Sequence, residues 1–205
     1  MLRRYNNSGI SSDAEIKGIL ISDCAILFMS EESGIDPNNW PNQLLSMLYL
    51  VRDYNIKMLR KNYLLTCSIA CGPCDYEPRM DDEYVRKNSL MGQGYVRAFT
   101  DNEYGIPKIQ AGEYRVVTEG FPDYPEMFAW FYDDYHGENA EEAFLTHQGN
   151  LLKSIDGRHI KYYWMLHDRS QIIDFTNEIK LANTKMYAGL KRTYKKYVRL
   201  TDNRT

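Results

Sequence analysis

Only Ser22 and Asp23 separate two apolar runs, Ile16–Ile21 and Cys24–Met29. Strands joined so tightly can pair only as an antiparallel hairpin. In the first run, Ile16 and Leu20 fall on one alternating face and Ile19 and Ile21 on the other. A strand apolar on both sides belongs inside a sheet covered on both faces. The hairpin then presents one carboxylate, Asp23, at its tip. Such a carboxylate suits a metal ion, and it equally suits a turn in which Asp bonds its own backbone. Ser-Asp is not the favoured Asn-Gly pair of a tight hairpin, which leaves room for a chemical role.

Downstream, Gln43–Lys61 carries Leu44, Met47, Leu48, Val51, Asn55, Met58 and Leu59 at helical spacing, with Asn55 the one polar break. Asn39 and Pro41 mark its start. Leu64–Ala70 reads as a strand ended by Gly72-Pro73, and 75–88 as a charged loop. Met91–Asn102 reads as a short helix opened by Gly92-Gln93-Gly94, and Glu113–Thr118 as a strand. Pro125–Asp134 and Ala140–Leu152 read as helices set off by Gly137 and Gly149. His159–Leu166 is an aromatic-rich strand. A long helix is expected from Ser170 to Val198, striped by Ile172, Phe175, Ile179, Ala182, Met186, Leu190, Tyr194 and Tyr197. This mixture predicts an α+β chain. It divides into a frayed start (1–14), a core (15–120) and a C-terminal extension with a long amphipathic helix (121–205), with the boundary near Gly120.

Three short pieces resemble the class III nucleotidyl cyclase superfamily in its compact prokaryotic form. They are Lys17-Gly-Ile-Leu-Ile-Ser-Asp-Cys-Ala-Ile-Leu-Phe28, Leu64-Leu-Thr-Cys-Ser-Ile-Ala-Cys-Gly72 and Gly92-Gln-Gly-Tyr-Val-Arg-Ala-Phe99, within a run from Ile16 to Val117 that covers about half the chain. The resemblance implies a ferredoxin-like sheet, mixed or antiparallel, with helices on one face and the C-terminal helical extension packed on it. It implies that Asp23 holds Mg or Mn and that a nucleoside triphosphate is the partner. Chemistry of that kind needs two metal carboxylates and a cation meeting the transition state. The family's first metal-binding strand has no counterpart after Met1, and Asp13 lacks an apolar strand around it. The family's helical Asn and Arg fall at Val96 and Thr100, with Arg97 displaced by one residue, or about 100° around a helix. The implied function is therefore a catalytically incomplete cyclase-like domain, with no catalytic residue assigned, binding a nucleotide or metal or serving as an assembly module. The alternative is an active purine nucleotidyl cyclase completed by a second chain or by upstream sequence.

Gly92, Gln93, Gly94 and Arg97 form the candidate phosphate-binding set, because exposed amides at a helix start attract anions. Glycine pairs also permit close helix–sheet packing. Cys71-Gly-Pro-Cys74 matches a redox dithiol in spacing, which offers a thiol redox or zinc protein as a further alternative, with Cys67 a third possible ligand. Acids and Pro78 follow it where a helix should begin. The histidines, His136, His147, His159 and His167, show no ligand spacing.

The formal net charge of -3 predicts no general affinity for nucleic acid. Its distribution is uneven. Glu113, Glu119, Asp123, Glu126, Asp133, Asp134, Glu138, Glu141 and Glu142 face only Arg115 in one segment. Lys180, Lys185, Lys191, Arg192, Lys195, Lys196, Arg199 and Arg204 face only Asp202 in the tail. Both can be solvated faces, or the two can meet within or between chains. The 17 Tyr and 3 Trp favour self-association, most simply as a homodimer. No apolar run approaches the roughly 18 residues of a membrane span, and no signal-like segment follows the basic start. A cytoplasmic location without a membrane partner is expected.

Overall fold

A computed structural model describes residues 16–21, 24–29, 40–77, 89–121, 134–136, 144–147, 150–167, 171–172 and 184–202. The chain divides into two compact units, residues 1–51 and 52–205.

In the first unit, β1 (Ile16–Ile21) and β2 (Cys24–Met29) pair antiparallel, with Ile16 opposite Met29 and Ile21 opposite Cys24. The hairpin expected from the sequence is present. It forms a two-stranded sheet of its own, however, and shares no sheet with the other described strands. Leu20 is exposed rather than covered. The expectation of a doubly buried, mid-sheet strand fails there.

Helix α1 (Trp40–Leu59) buries Leu44, Leu48, Val51, Asn55 and Leu59 along one stripe. It ends on Asn62 at φ 64, with Tyr63 N–H donating to Met58 O and Asn62 N–H to Leu59 O. That pair of bonds satisfies carbonyls the last turn would leave open, and Asn tolerates the left-handed conformation the motif needs. Asn55 is completely buried, and neither amide atom has a partner among the described residues.

The second unit is built on a seven-stranded sheet. Its path runs β3 (Cys67–Ile69), β6 (Tyr114–Val117), β10 (His159–His167), β9 (Asn150–Ser154), β8 (Phe144–His147) and β7 (Asp134–His136), with β11 (Gln171–Ile172) also on β10. β3 and β6 are parallel and the remaining pairs antiparallel, so the sheet is mixed and the class is α+β. A parallel pair requires a crossover. Here it contains the small hairpin β4 (Asp75–Glu77) with β5 (Ser89–Met91), then α2 (Gln93–Tyr104), which packs on β3, β5 and β6.

Strand β10 is the spine. Ile160, Tyr162, Tyr163, Trp164, Met165 and Leu166 are all buried, so both its faces are covered. Its pairing with β9 shifts register between Tyr162 and His167, and such an irregularity re-phases the side chains beyond it. That shift lets Tyr163 and Leu166 join one cluster with Phe144 and Leu151. Helix α3 (Thr184–Asp202) caps the cluster with Tyr197, Leu190, Tyr194, Val198 and Leu200. Trp164 stacks near Tyr114 at 5.8 Å and donates its indole N–H to Gly112 O.

Several expectations are corrected here. Residues 144–147 and 150–152 are strand, not the end of a helix: Leu145 faces Leu152 across a hairpin, and Gly149 lies between the two strands. Asp134 begins a strand rather than ending a helix. Gln171–Ile172 pairs with β10, so no helix runs unbroken from Ser170. The expected boundary near Gly120 falls inside the sheet, since β6 before it pairs with β10 after it. Among the described residues, no helix is long and apolar enough to cross a membrane.

Candidate functional site

The two chemical motifs of the sequence meet at one place. Beyond the C-terminal end of β3, the Cys71–Cys74 loop runs across the first turn of α2. Gly94 N–H donates to Pro73 O at 3.2 Å. A Cβ on Gly94 would lie 2.8 Å from Gly72 O, and Gly72 itself has φ +151. Only glycine lets the two backbones approach so closely. Arg97, one turn into α2, donates from Nη1 to Cys71 O at 3.0 Å. Its Nε and Nη2 donate to Glu119 Oε1 at 3.3 and 3.2 Å. Glu119 follows β6, so the crossing ties together the ends of both parallel strands.

The position is where parallel strands with a crossover helix commonly bind ligands. Two of the candidate groups are already engaged. The Gly94 amide serves Pro73, and all three guanidinium nitrogens of Arg97 have protein acceptors. The Cys71 thiol is pushed up by burial, which outweighs the opposing effects of Arg97 and the Gly72 N–H. Burial alone pushes Cys67 up to about 12. Reactive thiols need the opposite shift. None of the four cysteines is in a disulfide.

Asp23 lies outside the described residues. Among the described residues, no group of three or more His, Cys, Asp and Glu could hold a metal ion.

A second polar cluster lies between α2, β3, β6 and β10. Arg115 is fully buried and grips Asp101 with two parallel bonds, Nε to Oδ2 at 2.8 Å and Nη2 to Oδ1 at 2.7 Å. It also donates to Asp101 O at 3.1 Å and Pro107 O at 2.6 Å. Ser68 donates its hydroxyl to Asp101 Oδ2. His159 stands between two carboxylates, Nε2 at 2.9 Å from Asp101 Oδ1 and Nδ1 at 2.7 Å from Asp156 Oδ2. Both ring nitrogens therefore face carboxylate oxygens. Burial alone would raise the Asp156 carboxyl. The bonds from the His159 ring and the Arg158 and His159 amides outweigh that effect and hold it below the ordinary carboxylate range.

Ser, His and Asp gather here, yet not as a nucleophile with its base: the hydroxyl bonds the carboxylate and not the imidazole. With its lone pairs and protons matched internally, the cluster braces the sheet rather than offering a reacting group. Sequence reading missed it, because its members are far apart in the chain. The available signal was Arg115, a cation inside an otherwise apolar strand.

Beside the crossing, α2 and its exit carry exposed apolar side chains: Val96, Phe99, Tyr104 and Ile106. Tyr95 supports Phe99 at 5.9 Å.

The chain matches no family model, no curated protein and no solved structure. The cyclase resemblance thus rests on the three sequence pieces alone.

Proposed function

We propose that the chain is an assembly module that associates with a second copy of itself and carries out no chemistry at the glycine crossing. The observation that carries this reading is the exposure of Val96, Phe99, Tyr104 and Ile106 around one helix and its exit. Grouped exposed apolar residues favour a protein contact, whereas isolated ones are ordinary. The engagement of Arg97 and of the Gly94 amide supports the same reading, since a phosphate would have to displace Glu119 and Pro73.

Light scattering across a concentration series tests it. A dimer is expected, with Phe99→Glu and Val96→Glu each giving a monomer of unchanged circular dichroism. A monomeric wild-type chain overturns it. Thermal unfolding with ATP or GTP and Mn²⁺ tests the cyclase-like alternative, because ligands that bind only the native state raise the midpoint. No shift is expected, and a shift lost in Asp23→Asn would restore that alternative.

A further inference from the structure

The outer face of α3 carries a run of exposed cations. Ala188, Lys191, Arg192, Lys195, Lys196 and Arg199 are all exposed there, at helical spacing. Lys191 lies over the Tyr187 ring at 5.9 Å. Lys191, Arg192, Lys195 and Arg199 have no ion-pair partner among the described residues. An overall charge of -3 averages this asymmetry away.

We propose that this ridge docks the phosphate backbone of double-stranded DNA. Three features fit that partner. The first is charge density. Residues 191–199 span roughly 12 Å at a rise of about 1.5 Å per residue. Four cations without an ion-pair partner among the described residues then lie on average about 4 Å apart along the axis, against one phosphate per about 3.4 Å along each DNA strand. An extended peptide of alternating acids offers one charge per roughly 6.6 Å and matches less well. The second feature is the inner face of the helix. Its apolar residues are packed against Phe144, Leu151, Tyr163 and Leu166, so it has no free apolar face to insert into a bilayer. The third is composition. The exposed ridge holds only Ala, Lys and Arg, and the ring beside it, Tyr187, is half-buried under Lys191, so a duplex fits better than a single strand. Contact is confined to phosphates, so binding carries no sequence preference.

Fluorescence anisotropy of a labelled DNA duplex of about 20 base pairs, titrated with the full chain at several NaCl concentrations from about 50 mM, tests this. Four phosphate contacts give a slope of log K against log salt of about -3.6. Combined Lys191→Gln, Arg192→Gln, Lys195→Gln and Arg199→Gln should weaken binding at least tenfold and flatten the slope. The pairs Lys191→Gln with Lys195→Gln, and Arg192→Gln with Arg199→Gln, should each remove about half of it. Lys57→Gln, Arg60→Gln, Lys61→Gln and Lys108→Gln together make the same charge change elsewhere and should leave binding within about twofold. The proposal fails if wild type does not bind the duplex at the lowest salt, or if the control variant loses as much as the ridge variant. It also fails if phosphatidylserine vesicles or a poly-glutamate peptide bind and the duplex does not.

Discussion

Arg115 and Asp101 form a two-pronged ion pair in the interior of the second unit, from a strand to the last turn of a helix, with the arginine fully buried and the aspartate nearly so. Their mutual need exceeds their net contribution. Taking both charges out of water costs several kcal/mol each, which the pairing offsets, and removal of one partner strands the other. Arg115→Met should therefore destabilise by about 3–5 kcal/mol. Adding Asp101→Leu should recover part of that loss. Urea denaturation of the two single variants and the double variant measures the coupling. Strictly additive losses would show that the pair does not act as a unit.

Asp156 fixes the sign of an acid-side effect. Its carboxyl is held below the ordinary value of 3.8 in the folded chain by the His159 ring and two amides, despite partial burial. A group depressed on folding stabilises above its unfolded pKa and loses that contribution as pH falls through the folded one. Stability should thus drop more steeply below about pH 4 in wild type than in Asp156→Asn. Urea midpoints between about pH 2 and 6 check this. Parallel curves for the two proteins would contradict the assignment.

What the sequence disclosed and what it hid follow from range. The β1–β2 hairpin, α1, α2 and β10 were legible because their signals are local: tight spacing, helical stripes, aromatic runs. Residues 144–147 and 150–152 were misread because Phe144, Leu151 and Leu152 also satisfy a helical spacing. Leu151 and Leu152 lie in β9, whose other neighbour, β10, is a partner outside any local window, while β8 pairs with β9 and β7. The same limit hid the Arg115–Asp101–His159 cluster, whose members come from separate elements. The meeting of Cys71–Cys74 with Gly92–Gly94 was half legible: each motif was visible, but not that the Gly94 amide bonds Pro73 of the other.

Gly94→Ala tests the crossing with a result opposite in sign to helix propensity. In an ordinary helix the change stabilises by about 1 kcal/mol. Here the new methyl would stand 2.8 Å from the Gly72 carbonyl oxygen, a backbone atom that cannot rotate away. Net destabilisation of about 1–3 kcal/mol is expected, as for overpacking of a well-filled interior. A stabilised variant in chemical denaturation would mean that the loop and the helix are not in contact in solution.

Thiol reactivity should separate the cysteines by environment. Cys24 is exposed, while burial pushes Cys67 up to about 12 and also raises Cys71. Only thiolate reacts, so at mildly alkaline pH an aromatic disulfide reagent should modify Cys24 first. Cys24→Ser should remove the fast phase, and Cys67 should react only on unfolding. Rapid labelling of Cys67 in the folded chain would contradict its burial.

Asn55 offers the simplest gain in stability. It occupies a position on the buried stripe of α1 where every other member is apolar, and both its amide atoms lack partners among the described residues. An unsatisfied buried polar group costs about 1–3 kcal/mol. Leucine keeps the same branched heavy-atom skeleton and has higher helix propensity, so it removes that cost, less a smaller one for its larger methyl groups. Asn55→Leu should raise the unfolding free energy by about 1–3 kcal/mol. If it instead lowers stability, the amide has a partner in solution, and Asn55→Asp would then discriminate a donor requirement from an acceptor one by which variant unfolds at the lower denaturant concentration.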